Sequence, residues 1–336
     1  MIRYIQKLKR KEDLSFTETQ EIFTEIMSDH LGFDTIKDIL IGLKEKGESY
    51  EEIAGASQVL LEKANKFPTI DYSFGDIVGT GGDNSNLINV STLSSFVGVC
   101  GGLKMAKHGN RSVSSQCGSF DLLEVLNIPF EEDVSKLKSM LDEFGLCFLY
   151  APLFHPSFRF VSPIRQVIKT RTIFNILGPL VNPARPKFQL LGVFSEHLLD
   201  PMAKAVVKLG LKQGMIVHGA GLDEIAPHAD TKVIHIKNGE LKKGTLNPQS
   251  FGFPIFSLDK VAGGAKEKNL EISQKILIGK GSEEQKMMIA MNVAPLLLMD
   301  EKVKNYKEGA ALAMDILQGD SAMKLIEKMR NGVSPQ

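Results

Sequence analysis

The chain has 336 residues, 43% of them apolar, with 40 basic against 40 acidic side chains and a formal net charge of +0. That length suits one large domain, or a large and a small one, and the balance lacks the basic excess with which a dedicated nucleic-acid binder neutralises phosphates. Three cysteines, Cys100, Cys117 and Cys147, form no CxxC pair, so reduced thiols are expected rather than a disulfide framework.

The opening MIRYIQKLKRKEDLSF carries scattered charges and no apolar stretch long enough for a signal peptide. The first 70 or so residues read as helices only. SFTE (Ser15 to Glu18) and SYEE (Ser49 to Glu52) fit the capping box, in which a serine and a glutamate satisfy the free amides of a helix start. Ile22, Phe23 and Ile26 share a face after the first cap. Ile36, Ile39, Leu40 and Leu43 repeat that pattern in a second helix ending near Gly47, and a third runs from about Tyr50 to Asn65. Such short stripes must pack on one another, on the rest of the chain or on a second subunit.

From about residue 74 the apolar runs DIV, LKMA, CFLYA, FQLLGVF and MIVHG read as buried strands. They alternate with helical patterns at Thr92 to Val99, Val134 to Glu143 and Pro201 to Leu209. This alternation predicts right-handed βαβ units and a mainly parallel sheet. Asn238-Gly239, inside TKVIHIKNGELKKG, signals a hairpin. Two helical stretches near 283–299 and 304–318 close the chain. The longest apolar run, VAPLLLM at 293–299, is too short to span a bilayer, so no membrane partner and a cytoplasmic protein are expected.

Four segments carry candidate chemistry. IVGTGGDNSN (77–86) follows a strand and precedes NVST (89–92), where Ser91 or Thr92 can cap a helix whose free amides attract an anion. It is not a GxxxxGK[ST] loop, and Asn84 stands where GxGxxG needs its third glycine, so alone it is a phosphate cradle or a plain turn. KHGNRSVSS (Lys107 to Ser115) sets a point charge and a guanidinium fork among glycine and hydroxyls, which suits a backbone wrapping a multiply charged anion. Asp223 and Glu224 in HGAGLDEIAP follow a strand and read as Mg²⁺ anchors beside phosphate loops. In FVSPIRQVIKTRTIFNILGPLVNPARP, Arg165 and Arg171 flank a helical stretch and NILGPLVNP is a rigid turn; His155 in APLFHP is either a structural histidine or a ligand.

GTGGD, NVST, KHGNRSVSS, RTIFNILGPLVNP and GLDE, in that order, resemble the anthranilate phosphoribosyltransferase family. The resemblance implies an all-α N-terminal domain (1–70, with segments near 155–180 returning to it as hinge). It also implies an α/β domain (71–336) with a nucleoside-phosphorylase-like, mainly parallel or mixed sheet flanked by helices. It further implies a homodimer through the helical domain, anthranilate and phosphoribosyl pyrophosphate (PRPP) as substrates, and Mg²⁺, expected as two ions. Carried over by motif, Gly79, Gly82 and Asp83 line the substrate loop. Asn89, Val90, Ser91 and Thr92 hold pyrophosphate and metal. Lys107, His108, Gly109, Asn110, Arg111, Ser112, Val113, Ser114 and Ser115, with Ser119, wrap the phosphates. Ser91, Asp223 and Glu224 ligate the metal, and Asn110, Arg165 and His155 meet anthranilate.

No Ser/His/Asp or Cys/His arrangement suggests covalent catalysis, so positioning and electrostatics from Lys107 and Arg111 are expected to activate the leaving group. The sequence departs from the family pattern at Leu87, Gln116, Cys117 and Phe120, where Thr, Lys, Ser and Ala are usual. It also departs at VIKT, where ELGI precedes the second arginine. Phe120 is expected to crowd the helix start beside Ser119. The rival readings are a pyrimidine nucleoside phosphorylase and a catalytically silent relative that binds nucleic acid.

Overall fold

The computed structural model describes residues 1–111, 117–128 and 132–332. Four helices open it: α1 (Ile2–Lys9), α2 (Phe16–Ile26), α3 (Phe33–Lys46) and α4 (Tyr50–Glu62). Both capping boxes form. The Glu18 N–H donates to Ser15 Oγ at 3.2 Å while the Ser15 N–H donates to the Glu18 carboxylate at 2.9 Å, and Ser49 with Glu52 repeats the exchange. The apolar faces named above are buried. α4 stops at Glu62, short of the expected Asn65, because Asn65 is held elsewhere. Its N–H donates to the Phe154 carbonyl at 2.8 Å and its side-chain amide to the Leu153 carbonyl at 2.6 Å. α1 escaped the sequence reading because only Tyr4 and Leu8 of its eight residues are buried.

The alternating part runs β1 (Gly75–Gly79), α5 (Val90–Cys100), β2 (Met105–Gly109), α6 (Ser119–Val125), α7 (Val134–Phe144) and β3 (Leu146–Tyr150). Short helices α8 (Ala151–Phe154), α9 (Ser162–Ile168) and α10 (Phe174–Leu177) lead to β4 (Phe188–Gly192), α11 (Leu199–Lys208), β5 (Gln213–His218), β6 (Thr231–Lys237) and β7 (Glu240–Leu246). Four helices close the chain, α12 (Lys266–Leu277), α13 (Glu283–Met299), α14 (Tyr306–Gln318) and α15 (Ser321–Gly332), where two were expected. Arg165 lies inside α9 rather than at its edge. That helix ends at Lys169, which takes a left-handed φ of 50° where the family pattern has glycine.

The seven strands are ordered β3-β2-β1-β4-β5-β6-β7. The first five pair in parallel, and β6 and β7 add an antiparallel hairpin turned by Asn238 and Gly239, both at positive φ. Chain order reverses between β1 and β4, so the loops leaving these neighbours diverge and open a crevice at their carboxyl ends.

Alternation along the strands splits the interior in two. Ile77, Leu190, Met215 and Val217 face α5 and α13, while Leu191, Ile216 and Ile234 face α11 and the N-terminal helices. Val161, Ile164, Ile173 and Phe174 join the second core, so the segment expected to act as hinge packs with α2 and α4. The rigid turn is pinned to the sheet. The Asn182 side-chain amide donates to Asp76 Oδ2 at 2.9 Å and to the Ala106 carbonyl at 2.8 Å, and Gln189 Nε2 donates to the Pro179 carbonyl at 2.8 Å.

Candidate active site

The crevice is built around Asp223. Gly79 ends β1 opposite Gly192, the end of β4. A Cβ on Gly79 would overlap the Asp223 carboxylate, and one on Gly192 would overlap its backbone. Both strand ends are therefore stripped so that the 222–224 turn can lie across them. The Gly81 N–H donates to Asp223 Oδ2 at 2.6 Å, and Gly81 and Gly82 sit at φ 66° and 78°. The Thr80 N–H donates to the Gly192 carbonyl, and the Phe194 N–H to Thr80 Oγ1, each at 3.0 Å. The glycines that sequence alone left as cradle or plain turn first of all admit a carboxylate.

A cavity of about 320 Å³ occupies the crevice. Its wall includes Gly79, Gly82, Asp83, Asn89, Val90, Ser91, Lys107, His108, Gly109, Asn110, Arg111, Ser119, Asp223 and Glu224, all expected from motifs. Thr92 is absent from that wall: it is buried behind it. Neither Ser91 nor Thr92 caps α5. The cap position is Asn89, whose side-chain amide donates instead to the Cys117 carbonyl at 2.9 Å, so both hydroxyl residues fall in the first helical turn. Ser112, Val113, Ser114, Ser115 and Gln116 lie outside the described residues.

Lys107 forms the floor. It is 1% exposed, and its Nζ donates to the Ile77 carbonyl at 2.6 Å and to Ser91 Oγ at 3.3 Å. Burial pulls its pKa down, opposed by Asp76 behind it and Glu224 in front. Burial pushes Asp76 up to about 6, against the pull of Lys107 and of the Asn182 hydrogen bond. Desolvation, then the charge of Asp83, pushes Asp223 up to about 7, and Glu224 is raised well above its ordinary value by desolvation and by Asp223. Asp83, Asp223 and Glu224 crowd one another, and Lys107 offsets only Glu224 among them, so the site is short of positive charge.

Arg111 is committed to the protein. It pairs with Glu124 at 3.0 Å and Asp121 at 3.6 Å, and Lys266 pairs with the same Glu124 at 2.6 Å. Those two cations hold the Glu124 carboxyl down to about 2.

His155 and Arg165 stand off the cavity wall but connect to it. The His108 ring lies 5.4 Å from that of His155, His155 5.8 Å from Phe158, and Phe158 5.6 Å from Phe174. The Arg165 guanidinium ends the row, 5.9 Å from the Phe174 ring, with no hydrogen-bond or ion-pair partner among the described residues, and burial lowers its pKa. His155 Nε2–H donates to the Val181 carbonyl at 2.8 Å and His108 Nδ1–H to the Gly178 carbonyl at 3.3 Å. Burial pushes His108 down to about 3, with His155 adding to the effect, and pushes His155 itself to about 4. Both rings are neutral at physiological pH.

Sequence reasoning missed the far wall. Gly264 and Asn269 line the cavity. The segment before α12 also holds the loop, with the Ile88 N–H donating to the Val261 carbonyl at 3.2 Å and the Gly263 N–H to the Asn86 carbonyl at 2.7 Å. Leu87 bridges Ala262 there, so losing the usual hydroxyl leaves the loop anchored. Phe120 does not crowd the helix start: it is buried, its ring 4.7 Å from that of Tyr150, and Ser119 stays on the cavity wall.

A glycine loop, a buried lysine and paired carboxylates at one switch point define a site for a multiply charged, metal-bound anion. Residues 2–64 match the model of the glycosyl transferase family, helical bundle domain, and residues 71–323 that of the glycosyl transferase family, a/b domain. The chain is 44% identical over 325 residues to an anthranilate phosphoribosyltransferase of Tolumonas auensis, covering 97% of each. It superposes on the crystal structure of anthranilate phosphoribosyltransferase from Thermus thermophilus with a TM-score of 0.91 at 34% identity, covering 98% of both chains. It also superposes on the Saccharomyces cerevisiae enzyme in complex with PRPP and Mg at 0.89 and 31%, covering 99% of this chain and 97% of that one. The chain belongs to the anthranilate phosphoribosyltransferase family.

Proposed function

We propose that the chain transfers the phosphoribosyl group of PRPP to the amine of anthranilate, releasing pyrophosphate, in an Mg²⁺-dependent step of tryptophan biosynthesis. The observation that carries this is one cleft in which the Gly79–Asp83 loop, buried Lys107 and the Asp223–Glu224 pair face a common space. The yeast relative is known with PRPP and Mg, and also with 4-fluoroanthranilate. No observation favours a pyrimidine nucleoside phosphorylase.

The donor set fits magnesium. Among the described residues no group of three or more His, Cys, Asp or Glu is arranged to hold a metal ion by itself. Magnesium, however, takes one or two carboxylates and completes its shell with water and phosphate oxygens. Asp223, Glu224 and the Ser91 hydroxyl would hold it, as one or two ions, relieving the carboxylate crowding described above. When bound, Mg²⁺ neutralises charge growing on the pyrophosphate. Lys107 and the loop amides hold the phosphates and orient the ribose. His108 and His155, both neutral, put no charge beside the ring of a flat aromatic substrate, and Arg165 meets its carboxylate.

Residues 1–70 form the helical domain and 71–336 the catalytic one in this reading. A homodimer through the helical domain accounts for exposed Ile2 on α1 and Phe33 on α3. The protein is read as cytoplasmic; no helix among the described residues is long and apolar enough to cross a membrane.

The test is the fluorescence of anthranilate itself, mixed with protein, PRPP and Mg²⁺. A loss that needs both PRPP and metal establishes the reaction. No loss from folded protein sinks the proposal.

A further inference from the structure

Arg171 was singled out by sequence only as one of two flanking arginines, and no substrate contact is assigned to it. It is exposed, in the short link between α9 and α10. Its guanidinium donates a hydrogen bond to the Gly82 carbonyl and lies 3.9 Å over the Phe194 ring. Phe194 follows β4, and its N–H donates to Thr80 Oγ1. One guanidinium N–H and the flat face of the same side chain thus bind two points of the same glycine loop, one directly and one through Phe194.

Two and three residues on, Ile173 and Phe174 are buried in the core shared with the N-terminal helices, and Phe174 packs 5.7 Å from Phe23 of α2. Gly82 sits at φ 78°, a conformation with no regular-element support, and the described loop from 80 to 86 lies outside any helix or strand. Asp223 holds the loop at Gly81, β4 holds it at Thr80, and Arg171 holds it at Gly82.

We propose that Arg171 is a positioning residue for the phosphoribosyl donor: it fixes the Gly82 end of the glycine loop to the segment packed on the helical domain, so that helix packing sets the loop geometry that PRPP meets. This rests on the reading that the loop binds PRPP. A guanidinium is required because it can donate to Gly82 while its flat face covers Phe194, whereas a compact ammonium has no stacking face.

The test varies PRPP at saturating anthranilate, and anthranilate at saturating PRPP, in Arg171→Ala, Arg171→Lys, Phe194→Leu and the Arg171→Ala/Phe194→Leu double variant. Arg171→Ala should raise KM for PRPP about tenfold or more, as expected for loss of a hydrogen bond from a charged donor, with KM for anthranilate within about twofold. Its melting temperature should stay within about 2 °C, because the side chain is exposed. Arg171→Lys should not rescue it, and serves in its place if the alanine variant fails to fold. Phe194→Leu should raise the same KM, and the double variant should be no worse than Arg171→Ala. An unchanged KM for PRPP, a change confined to anthranilate, rescue by lysine, or fully additive effects would each overturn the proposal. An unsubstituted chain without turnover would overturn the functional reading beneath it.

Discussion

Gly192 gives up its side chain to the backbone of Asp223: a Cβ at this end of β4 would overlap the aspartate carbonyl. The Asp223 turn is seated on a strand end rather than suspended in a loop, so its position follows from the sheet. Gly192→Ala should push the turn outward, lowering kcat/KM roughly 100-fold through misplacement and stability by about 1–3 kcal/mol through overpacking. Steady-state assay and urea unfolding read the two effects separately. Near-normal activity would mean that the turn has no part in the reaction.

Asp83, Asp223 and Glu224 crowd one another, so charge removal should help the fold while harming function. Asp223→Asn with Glu224→Gln is expected to abolish turnover and, in metal-free buffer, to melt above the unsubstituted protein. Added Mg²⁺ with pyrophosphate should raise the melting temperature of the unsubstituted protein but not of this variant. A variant that melts lower would show that the carboxylates hold the turn together.

The buried His155 ring sets an acid limit. Its folded pKa, about 4, lies below the ordinary 6.5. The stability it protects is therefore full above pH 6.5 and is lost as pH falls towards 4, to a total of about 3 kcal/mol. His155→Gln should reduce the slope of unfolding free energy across that window, leaving the part contributed by His108, whose folded pKa is also pushed down, to about 3. An unchanged slope would assign the acid sensitivity to other groups.

The Arg165 guanidinium ends the ring row with no hydrogen-bond or ion-pair partner among the described residues. If the anthranilate carboxylate meets it, Arg165→Ala raises KM for anthranilate by roughly 10- to 100-fold, with KM for PRPP hardly moved. Equal rises in both would place Arg165 in loop geometry instead.

Lys169 holds a left-handed C-terminal position on α9, φ 50°. Lys169→Gly should stabilise the protein by about 1 kcal/mol, measured by thermal or urea unfolding. A loss would mean that the lysine side chain contributes packing that outweighs the strain.

The strands, the helix faces and both capping boxes were legible because each depends on neighbours within a few residues: a period of two or 3.6, or a serine three places before a glutamate. The motif residues were legible as a set, and most of them do meet in one cavity. α1, α12 and α15 were not seen: α1 buries only Tyr4 and Leu8, two of the four buried residues of α12 are the polar Asn269 and Ser273, and α15 carries a short Ala322, Ile326, Met329 stripe that was passed over.

What sequence alone determined is which residue types are present for phosphate, metal and a flat acid, and in what order along strands and loops. Tertiary structure decided which of them share a space. It set Thr92 behind the wall and paired Arg111 with Glu124. It also seated Asp223 between two glycines 113 positions apart in the chain, paired across β1 and β4, and brought Arg171 onto Gly82. Those contacts join residues far apart in the chain, through strand order and packing that no local pattern encodes.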